Sequence, residues 1–432
     1  MPHFSGNSAH RSSGGKDSQT LRAGRPERRT VYSANVDQYL CAMSENPRHG
    51  SDLVRLLLGS VLLLGVAAAV LYLKLPRPFV WIWLAALPVC VVGAMRADSE
   101  WMRRLSLVCF GLAVSLVLVE GIFVVLDRLE QGGGQIGGSY AKGGYFVQGG
   151  QLGYAPAPGI RVTSRKTKGK QLVYDVAYTI SEHGARVTKG DPNGDTWFFM
   201  GDSNMFGEGV NDDETLPSFF SADLGYHANV VNLGFHGYGP HQMLRSLETD
   251  RLRPFIHGAV RQVIYEGIWS HPWRAAGHDD WDAYGPSYAL SGTGVTYAGP
   301  FHGRFVGFTL KVLEKSDFFR FVLDHTLYRL EVSDDDIERY ALILERSAQL
   351  SRSKYGAGFT VVYWDEDNEP GRRVLARLRK TPLSLVLVSD VIPRGEWTGL
   401  ELPGDPHPRP EVHRRLAAAL AARFQAGTPG AP

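Results

Sequence analysis

The first candidate for chemistry is a serine that follows an apolar run. Ser203 comes after Trp197–Met200, with Gly201 and Asp202 between them. The run predicts a buried strand, and ligands of open α/β sheets bind at the carboxyl ends of the strands. A serine hydroxyl becomes a strong nucleophile only beside a general base, and the reaction also needs N–H donors for the oxyanion. The position suits a nucleophile, but by itself it also fits a serine that caps the next helix.

Two further segments carry residue types that could complete such a site. The run VVNLGFHGYGP predicts a second strand that ends near Asn232 and Gly234. Near the C-terminal end, ELPGDPHPRPEV places Asp405 and His407 directly before an amphipathic helix. A histidine can take the serine proton, and a carboxylate can fix the tautomer of its imidazole. These segments supply the residue types that a Ser–His–Asp arrangement would need.

In their order and placement, these segments resemble the first, second and fifth blocks of the SGNH/GDSL hydrolase superfamily. The resemblance covers residues 195–425, and the flank GDSNMFGEGVNDDETLP is similar to the subset tied to bacterial surface-carbohydrate O-acetylation and deacetylation. It implies an α/β fold of the flavodoxin-like, three-layer type with a parallel sheet. It also implies that Ser203 is the nucleophile, His407 the general base and Asp405 the residue that orients the imidazole.

The resemblance further implies which groups stabilise the oxyanion. The backbone N–H groups of Ser203 and Gly234 match two donors of the family, and Asn232 lies beside them. The third donor of the family is an asparagine in a Gly-x-Asn-Asp block, but here the strand ends in VIYEGIWSHPW and a tryptophan stands at that position. The candidate substitutes are three neighbouring side chains: Trp269, Ser270 and His271. If none of them serves, the site has only two donors.

The fifth block departs from the family in the position of its acid. The family usually places the acid three residues before the histidine, but Gly404 occupies that place and Asp405 lies two residues before His407. Relatives in the carbohydrate subset look similar at this point, so the resemblance keeps Asp405 as the orienting acid.

The elements that must position these residues alternate along the chain. Short apolar strands and helical stretches follow one another, which predicts a parallel sheet with helices on both faces. The predicted strands are Thr196–Met200, Val230–Leu233, Gln262–Tyr265, Phe359–Tyr363 and Ser384–Val388. An acidic start and one apolar face predict a helix over Asp334–Ser351.

Other segments border this catalytic domain, which we expect to span residues 171–432. The glycine-rich segment 128–170 is interpreted as a flexible linker. Leu172–Ile180 has the period of a strand and is expected to cover the main fold. Residues 271–333 are too long for a simple connection and predict a lid or an insertion.

An all-α membrane region is predicted ahead of the linker. Residues 53–127 contain three apolar runs that approach the roughly 20 residues a membrane-crossing helix needs. The runs are Leu56–Leu73, Phe79–Met95 and Leu105–Leu126. The second run is short and contains Pro88, so a re-entrant segment is its alternative. Basic residues in the polar tail 1–52 and after the second run place those parts in the cytoplasm, and three crossings of a bacterial inner membrane leave the catalytic domain in the periplasm.

Composition excludes several other classes of function. The chain has 46 Lys+Arg and 44 Asp+Glu, a net charge of +2, without a basic stripe interleaved with aromatic residues, so we expect no nucleic-acid partner. Its cysteines, Cys41, Cys90 and Cys109, all precede the predicted catalytic domain, which therefore has no thiol for catalysis or a disulfide. The histidines lack metal-ligand spacing such as HExxH. We expect neither a metal nor a cofactor.

Two hypotheses from different classes remain. The first is a membrane-anchored serine esterase or O-acetyltransferase that acts on an acylated carbohydrate or another ester outside the cytoplasm, with envelope polysaccharide export proteins as partners. Hydrolysis and transfer share the acyl-serine intermediate, so the sequence leaves both open. The second is a catalytically silent glycan-binding or scaffold subunit of an envelope assembly, which the missing third-block asparagine motivates.

Overall fold

A computed structural model describes residues 78–130, 135–326 and 331–426. The chain divides into two compact units, Met1–Tyr72 and Leu73–Pro432, and all described residues belong to the second unit. The predicted cytoplasmic tail and the first predicted span, Leu56–Leu73, lie outside the described residues.

The described residues form helices and strands in alternation. The helices are α1 Pro78–Arg96, α2 Glu100–Glu130, α3 Ser203–Phe206, α4 Leu216–Asp223, α5 Pro240–Glu248, α6 His271–Ala275, α7 Arg304–Leu313, α8 Asp317–Thr326, α9 Asp334–Tyr355, α10 Glu369–Leu378, α11 Val388–Val391 and α12 Pro410–Ala426. The strands are β1 Gln135–Gly137, β2 Phe146–Gln148, β3 Tyr154–Pro156, β4 Arg161–Lys168, β5 Gln171–Thr179, β6 Thr196–Met200, β7 Asn229–Asn232, β8 Val260–Gly267, β9 Pro286–Ser291, β10 Gly294–Pro300, β11 Gly358–Tyr363, β12 Ser384–Leu387, β13 Glu401–Leu402 and β14 Asp405–Pro408.

A parallel five-stranded sheet is the centre of the domain. Its strand order is β7-β6-β8-β11-β12, and each neighbouring pair is parallel. In chain order this is the 2-1-3-4-5 arrangement of flavodoxin-like sheets, which has its topological switch point between β6 and β8. The α/β class and the parallel sheet predicted from the sequence are therefore confirmed.

Side chains of the sheet alternate between two hydrophobic cores. Phe198 and Val263 point to a core that α5, α9 and α10 cover. Phe199 and Ile264 point to the opposite core, which α4 and α12 cover. Because successive side chains of a strand point to opposite faces, a strand buried on both faces must be apolar throughout. The run Thr196–Met200 has that pattern, with Phe198 and Phe199 fully buried.

Most of the segment predicted as a flexible linker, residues 135–168, contains strands that pair with one another and with the domain. Residues 135–168 contain β1 to β4, and β4 pairs with β5 and β1 in an antiparallel sheet. Val162 and Ser164 alternate with exposed residues along β4 and are buried. Tyr145 is also fully buried, in the same cluster as Tyr178 of β5. Despite its glycines, this stretch therefore has enough apolar side chains to pack against the catalytic domain.

The long segment 271–333 contains α6, the hairpin β9–β10, α7 and α8. The hairpin packs against α5 and α9, where Tyr288 joins a core with Leu244 and Ile343. This packing favours an insertion over a lid.

The predicted second and third membrane runs fall in α1 and α2, which pack against each other. Among the described residues, one helical stretch, Glu100–Phe123, is long and apolar enough to cross a membrane, whereas the apolar part of α1, Ile82–Arg96, is shorter. A three-span region is therefore not confirmed.

Candidate active site

The candidate site lies where two neighbouring strands of the sheet end. Ser203 follows β6 through a two-residue turn, and Trp269 and Ser270 follow β8. These strands are hydrogen-bonded neighbours in the sheet, and their connections leave it in opposite directions. A crevice forms at such a point outside the carboxyl ends of the strands.

The turn before Ser203 depends on its two preceding residues. A Cβ on Gly201 would lie 2.9 Å from Met205 Cβ and 3.1 Å from Glu266 Cβ, so only glycine fits between the sheet and α3. Asp202 is buried and caps α3, since its Oδ1 accepts from Asn204 N at 2.9 Å. Its Oδ2 accepts from Arg274 Nη1 at 2.8 Å. Asp202 therefore holds the turn in place.

Ser203, His407 and Asp405 lie in one hydrogen-bonded row. Ser203 Oγ is 2.9 Å from His407 Nε2, and His407 Nδ1 is 2.5 Å from Asp405 Oδ1. With the Nδ1 proton directed at the carboxylate, Nε2 carries the lone pair that accepts from the serine hydroxyl. The arrangement has the geometry in which an imidazole can take a serine proton.

A tight hairpin positions the acid and the histidine. Strands β13 and β14 pair around Pro403 and Gly404, and Gly404 has a φ of +73°. Glycine tolerates this left-handed conformation, which residues with a Cβ rarely adopt, so position 404 suits glycine better than an acid. Asp405 Oδ1 also accepts from the backbone N–H of His407 at 2.9 Å, which fixes the carboxylate beside the ring.

The antiparallel sheet β1–β4–β5, which covers the catalytic domain and is called the cover sheet below, supplies a cation to Asp405. Lys166 of β4 donates to Asp405 Oδ2, the oxygen that does not face the imidazole. Burial alone would raise the pKa of Asp405, but its hydrogen bond and charge contact with His407, followed by the bond from Lys166, hold that pKa well below its ordinary value. Asp405 is therefore ionised at neutral pH.

A second carboxylate lies beside the histidine. Glu208 Oε2 is 3.5 Å from His407 Nε2 and 2.7 Å from His236 Nδ1. His236 Nε2 is in turn 3.2 Å from the hydroxyl of Tyr145 in the cover. Burial opposes ionisation of Glu208, but His236 and then His407 lower its pKa to about 2. The sequence patterns predicted a role in this site for neither Glu208 nor His236.

Both carboxylates act on the protonation of His407. Burial works against the charged imidazolium, but the hydrogen bond to Asp405 and the charges of Glu208 and Asp405 outweigh it and raise the pKa of His407. Glu208 faces Nε2, so its contact is attractive only when that nitrogen carries a proton. Glu208 therefore favours the imidazolium that forms once the serine proton has moved.

We expect Glu208→Gln to move the acid limb of the kcat/KM profile to lower pH. Removing this negative charge lowers the pKa of His407, so the neutral base persists to lower pH. Turnover at the optimum should fall about tenfold or more, since each factor of ten corresponds to about 1.4 kcal/mol of transition-state stabilisation. The measurement is a pH–rate profile on an aryl acetate. Glu401→Gln removes a charge from the same cavity wall and should leave the limb in place; an unmoved limb in Glu208→Gln would separate Glu208 from His407.

Gly234 and Asn232, both predicted near the oxyanion, make hydrogen bonds to other groups of the protein. The N–H of Gly234, which is buried, donates to Asn232 Oδ1 at 3.1 Å. Asn232 Nδ2 donates to the carbonyl oxygens of Met205 and Phe206, at 3.2 and 3.3 Å. Asn232 therefore ties the end of β7 to α3. These contacts weigh against Gly234 as a donor, and its role stays a prediction.

The three candidate substitutes for the missing asparagine have different surroundings. His271 is fully buried between the Tyr265 hydroxyl, 2.6 Å from Nδ1, and Asp202 Oδ2, 3.1 Å from Nε2. Trp269 donates its indole N–H to Glu366. Ser270 lines the cavity in front of Ser203 and makes no capping bond to α6. Of the three, Ser270 is therefore the one whose side chain is not already engaged.

The row opens into a cavity of about 840 Å³. Aromatic side chains form part of its wall: Trp269, Trp364 and Trp397. Polar and charged side chains surround them: Asn204, Glu208, Arg274, Glu366, Asp367, Asn368, Arg394 and Glu401. From the segment 271–333, Arg274 alone among the described residues contributes to this wall. The cavity has the size and the mixture of apolar surface and a few polar groups that suit a small organic ligand.

Within the described ranges, no group of three or more His, Cys, Asp or Glu side chains is arranged to hold a metal ion.

Comparisons with known proteins give similarity in solved structures alone. No family model matches the chain, and no curated protein matches it. A proposed lipolytic protein of the G-D-S-L family from Desulfitobacterium hafniense DCB-2 has 10% identity, covers 52% of this chain and 98% of its own, and has a TM-score of 0.30. A G-D-S-L family lipolytic protein from Veillonella parvula DSM 2008 has 13% identity, 53% and 98% coverage, and a TM-score of 0.30. A proposed SGNH hydrolase from Slackia heliotrinireducens has 12% identity, 54% and 100% coverage, and a TM-score of 0.30.

Proposed function

We propose that the protein is a membrane-anchored serine esterase or O-acyltransferase that acts on an acylated extracytoplasmic glycan. The observation that carries the proposal is the row Ser203–His407–Asp405 at the mouth of a large cavity, with distances of 2.9 and 2.5 Å. A serine, a base and an orienting acid in contact are the parts that nucleophilic acyl transfer needs.

The reaction proceeds in two steps. Ser203 Oγ attacks the ester carbonyl while His407 Nε2 takes its proton, and the tetrahedral intermediate expels the alcohol, which receives that proton from His407. The acyl group then remains on Ser203 as an ester. In the second step His407 deprotonates water or a sugar hydroxyl, which attacks the acyl carbonyl and releases Ser203. Water gives hydrolysis, and the sugar hydroxyl gives transfer.

The oxyanion needs donors that already point at the reacting carbonyl. Ser203 is the first residue of α3, so its backbone N–H has no intrahelical acceptor. Asn204 follows the end of β6, and Ser270 follows the end of β8. Both have uncharged polar side chains that line the cavity. We assign the oxyanion to the Ser203 N–H with help from these side chains, in place of the asparagine that the family pattern supplies.

The cavity wall supports a carbohydrate as the acyl carrier or acceptor. Indole rings offer flat apolar surface to the C–H faces of a pyranose, and carboxylates and amides offer hydrogen-bond partners to its hydroxyls. Trp364 and Trp397 lie together with ring centroids 5.3 Å apart. Asp367 and Asn368 line the same wall. An acetyl group is the proposed acyl group, from the resemblance described above.

Membrane anchoring is proposed from the apolar segments before the domain. The helical stretch Glu100–Phe123 satisfies the length and composition of one span. The runs Leu56–Leu73 and Phe79–Met95 are the other two proposed spans, and the arginine-rich tail before them favours a cytoplasmic N-terminus. This topology leaves the catalytic domain in the periplasm of a bacterium, beside glycans in export and the proteins that export them.

The test uses the full-length protein in detergent with p-nitrophenyl acetate. We expect release of nitrophenol and an increase in protein mass of one acetyl group, located on Ser203 by peptide mapping. Adding an oligosaccharide with free hydroxyls separates the two reactions: acetylated sugar indicates transfer, and free acetate alone indicates hydrolysis. Absence of acetyl-Ser203 together with no turnover of either an aryl acetate or an acetylated oligosaccharide would favour the silent glycan-binding subunit.

A further inference from the structure

The strongest unexplained surface is an apolar face on helix α7. Phe305 is 83% exposed, Phe308 is 64% exposed and Val306 is 50% exposed. The opposite face of α7 is buried through Gly307 and Leu310. Large aromatic side chains grouped on one face of a short helix are unusual on a water-exposed surface, and such patches mark sites of interaction with proteins or membranes.

The neighbouring helix α8 shows where this face lies. Phe318 and Phe321 of α8 contact Phe123 of α2, with ring centroids 6.5 and 5.1 Å apart. Ser316, directly before α8, donates to Glu120, which is buried. Phe123 is the last residue of the stretch Glu100–Phe123 that could cross a membrane. The segment α7–α8 is therefore fixed to the end of the proposed span.

Dimensions place this contact at the membrane surface. The stretch of 24 residues is about 36 Å long at about 1.5 Å per residue, close to the roughly 30 Å of a hydrocarbon core. Its end, and the helices packed there, fall at the level of the head groups. Elsewhere on α2, Val108 and Leu112 are 58% and 59% exposed. Nearer the end at which α8 packs, Leu118 and Ile122 are 41% and 58% exposed, so α2 carries exposed apolar side chains along its length.

Cationic side chains accompany the apolar face. Lys311 and Lys315 are exposed at the end of α7 and in the turn before α8. Lys311 Nζ lies 4.7 Å from the centroid of the Tyr284 ring. An amphipathic helix with aromatic residues on one side and lysines at its border is the pattern of helices that lie in the interface of an anionic membrane.

We propose that α7–α8 is a membrane-docking hairpin, whose face Phe305, Val306 and Phe308 inserts into the outer leaflet. Its occupant is the lipid bilayer in which α2 is anchored. The proposal rests on the proposed membrane anchoring. It adds a second attachment point, which limits rotation of the catalytic domain and keeps the domain close to the membrane surface.

The test is depth-dependent quenching in the full-length chain. Single-cysteine variants carry the environment-sensitive fluorophore NBD, in a background in which the other native cysteines are serine. The labelled positions are Phe308→Cys on α7, native Cys109 on α2 and Tyr226→Cys, an exposed site on the catalytic domain. The protein is reconstituted in vesicles of phosphatidylcholine and phosphatidylglycerol, without a nitroxide lipid, with one that carries the nitroxide near its head group, or with one that carries it deep in an acyl chain. An unchanged thermal midpoint shows that each variant is folded.

We expect the label at position 308 to be quenched several-fold more than the label at position 226, and the label at Cys109 to respond to nitroxides deeper in the acyl chains. If the labels at 308 and 226 respond alike while Cys109 is quenched, the docking hairpin is wrong and the anchor stands. If Cys109 is not quenched, the anchor itself fails. A label at 308 that is protected from aqueous iodide but not reached by the nitroxide lipids would mean that protein covers the face, which also overturns the proposal.

Discussion

Ser203→Ala is expected to lower kcat by about 10⁶-fold on an ester substrate, because serine, base and acid act as one unit and removal of the nucleophile removes the covalent path. The same variant should lose labelling by a fluorophosphonate, which reacts with an activated serine by the attack used on an ester carbonyl. Labelling of the wild-type protein should map to the peptide that contains Ser203. Gel fluorescence and peptide mass mapping measure both effects.

Ser270→Ala is the matched control for this loss. Ser270 lines the same cavity but follows β8, whereas Ser203 follows β6. If Ser270 helps to stabilise the oxyanion, its removal should lower kcat by about 10²–10³-fold and leave labelling at Ser203 detectable. Persistent labelling in Ser203→Ala, or a label that maps elsewhere, would remove Ser203 from the nucleophile role.

The sheet was predictable because each of its strands is a local pattern. A strand buried on both faces reads as a short apolar run, and turn residues bound each run. The five predicted strands match β6, β7, β8, β11 and β12 to within one or two residues at most ends. Helix α9 begins at Asp334 as predicted but continues to Tyr355, where Gly356 with a φ of +63° ends it. The predicted end at Ser351 came from the loss of apolar period before the glycine.

The row of Ser203, His407 and Asp405 was predicted from the family resemblance, and local patterns agreed with it: Ser203 follows a strand, and Asp405 and His407 precede a helix. The Glu208–His236 contact could not be predicted in this way. Its two residues are 28 positions apart in two loops that meet only when β6 and β7 pair. A signal does exist, since both loops are at the carboxyl edge of neighbouring parallel strands, but it specifies neither the side chains nor their distance.

The contact between Lys166 of the cover sheet and Asp405 was not predicted, for a different reason. Lys166 lies 239 positions before Asp405, in a segment where glycines favoured a linker. Strand β4 has alternating burial, with Val162 and Ser164 inward, but its outward residues are Arg161, Thr163 and Arg165, so the run lacks the apolar content that marks a strand. Pairing with β5 makes it a strand, and only tertiary structure reveals that pairing.

The last expected result concerns the acid that departs from the family spacing. Asp405→Asn should lower kcat by about 10⁴-fold, the effect measured for the corresponding change in a serine protease, because the amide favours the wrong tautomer of the imidazole. It should also move the acid limb of kcat/KM to lower pH, since the hydrogen bond and charge of Asp405 both raise the pKa of His407 against the effect of burial. Lys166→Met tests one oxygen of the Asp405 carboxylate by itself. It removes the donor to Oδ2 and leaves the hydrogen bond between Oδ1 and the imidazole. We expect a much smaller loss from it than from Asp405→Asn.

His407→Ala and the double variant complete the cycle. His407→Ala should be at least as damaging as Asp405→Asn, and the double variant should be little worse than the worse single variant, because residues that act as a unit lose activity non-additively. Additive losses would mean that Asp405 acts independently of the base. A change of only a few-fold in Asp405→Asn, with a severe loss in His407→Ala, would leave Glu208, 3.5 Å from Nε2, as the carboxylate that sets the protonation of His407. Mild effects of both single variants on an acetylated glycan would overturn the triad and favour the silent subunit.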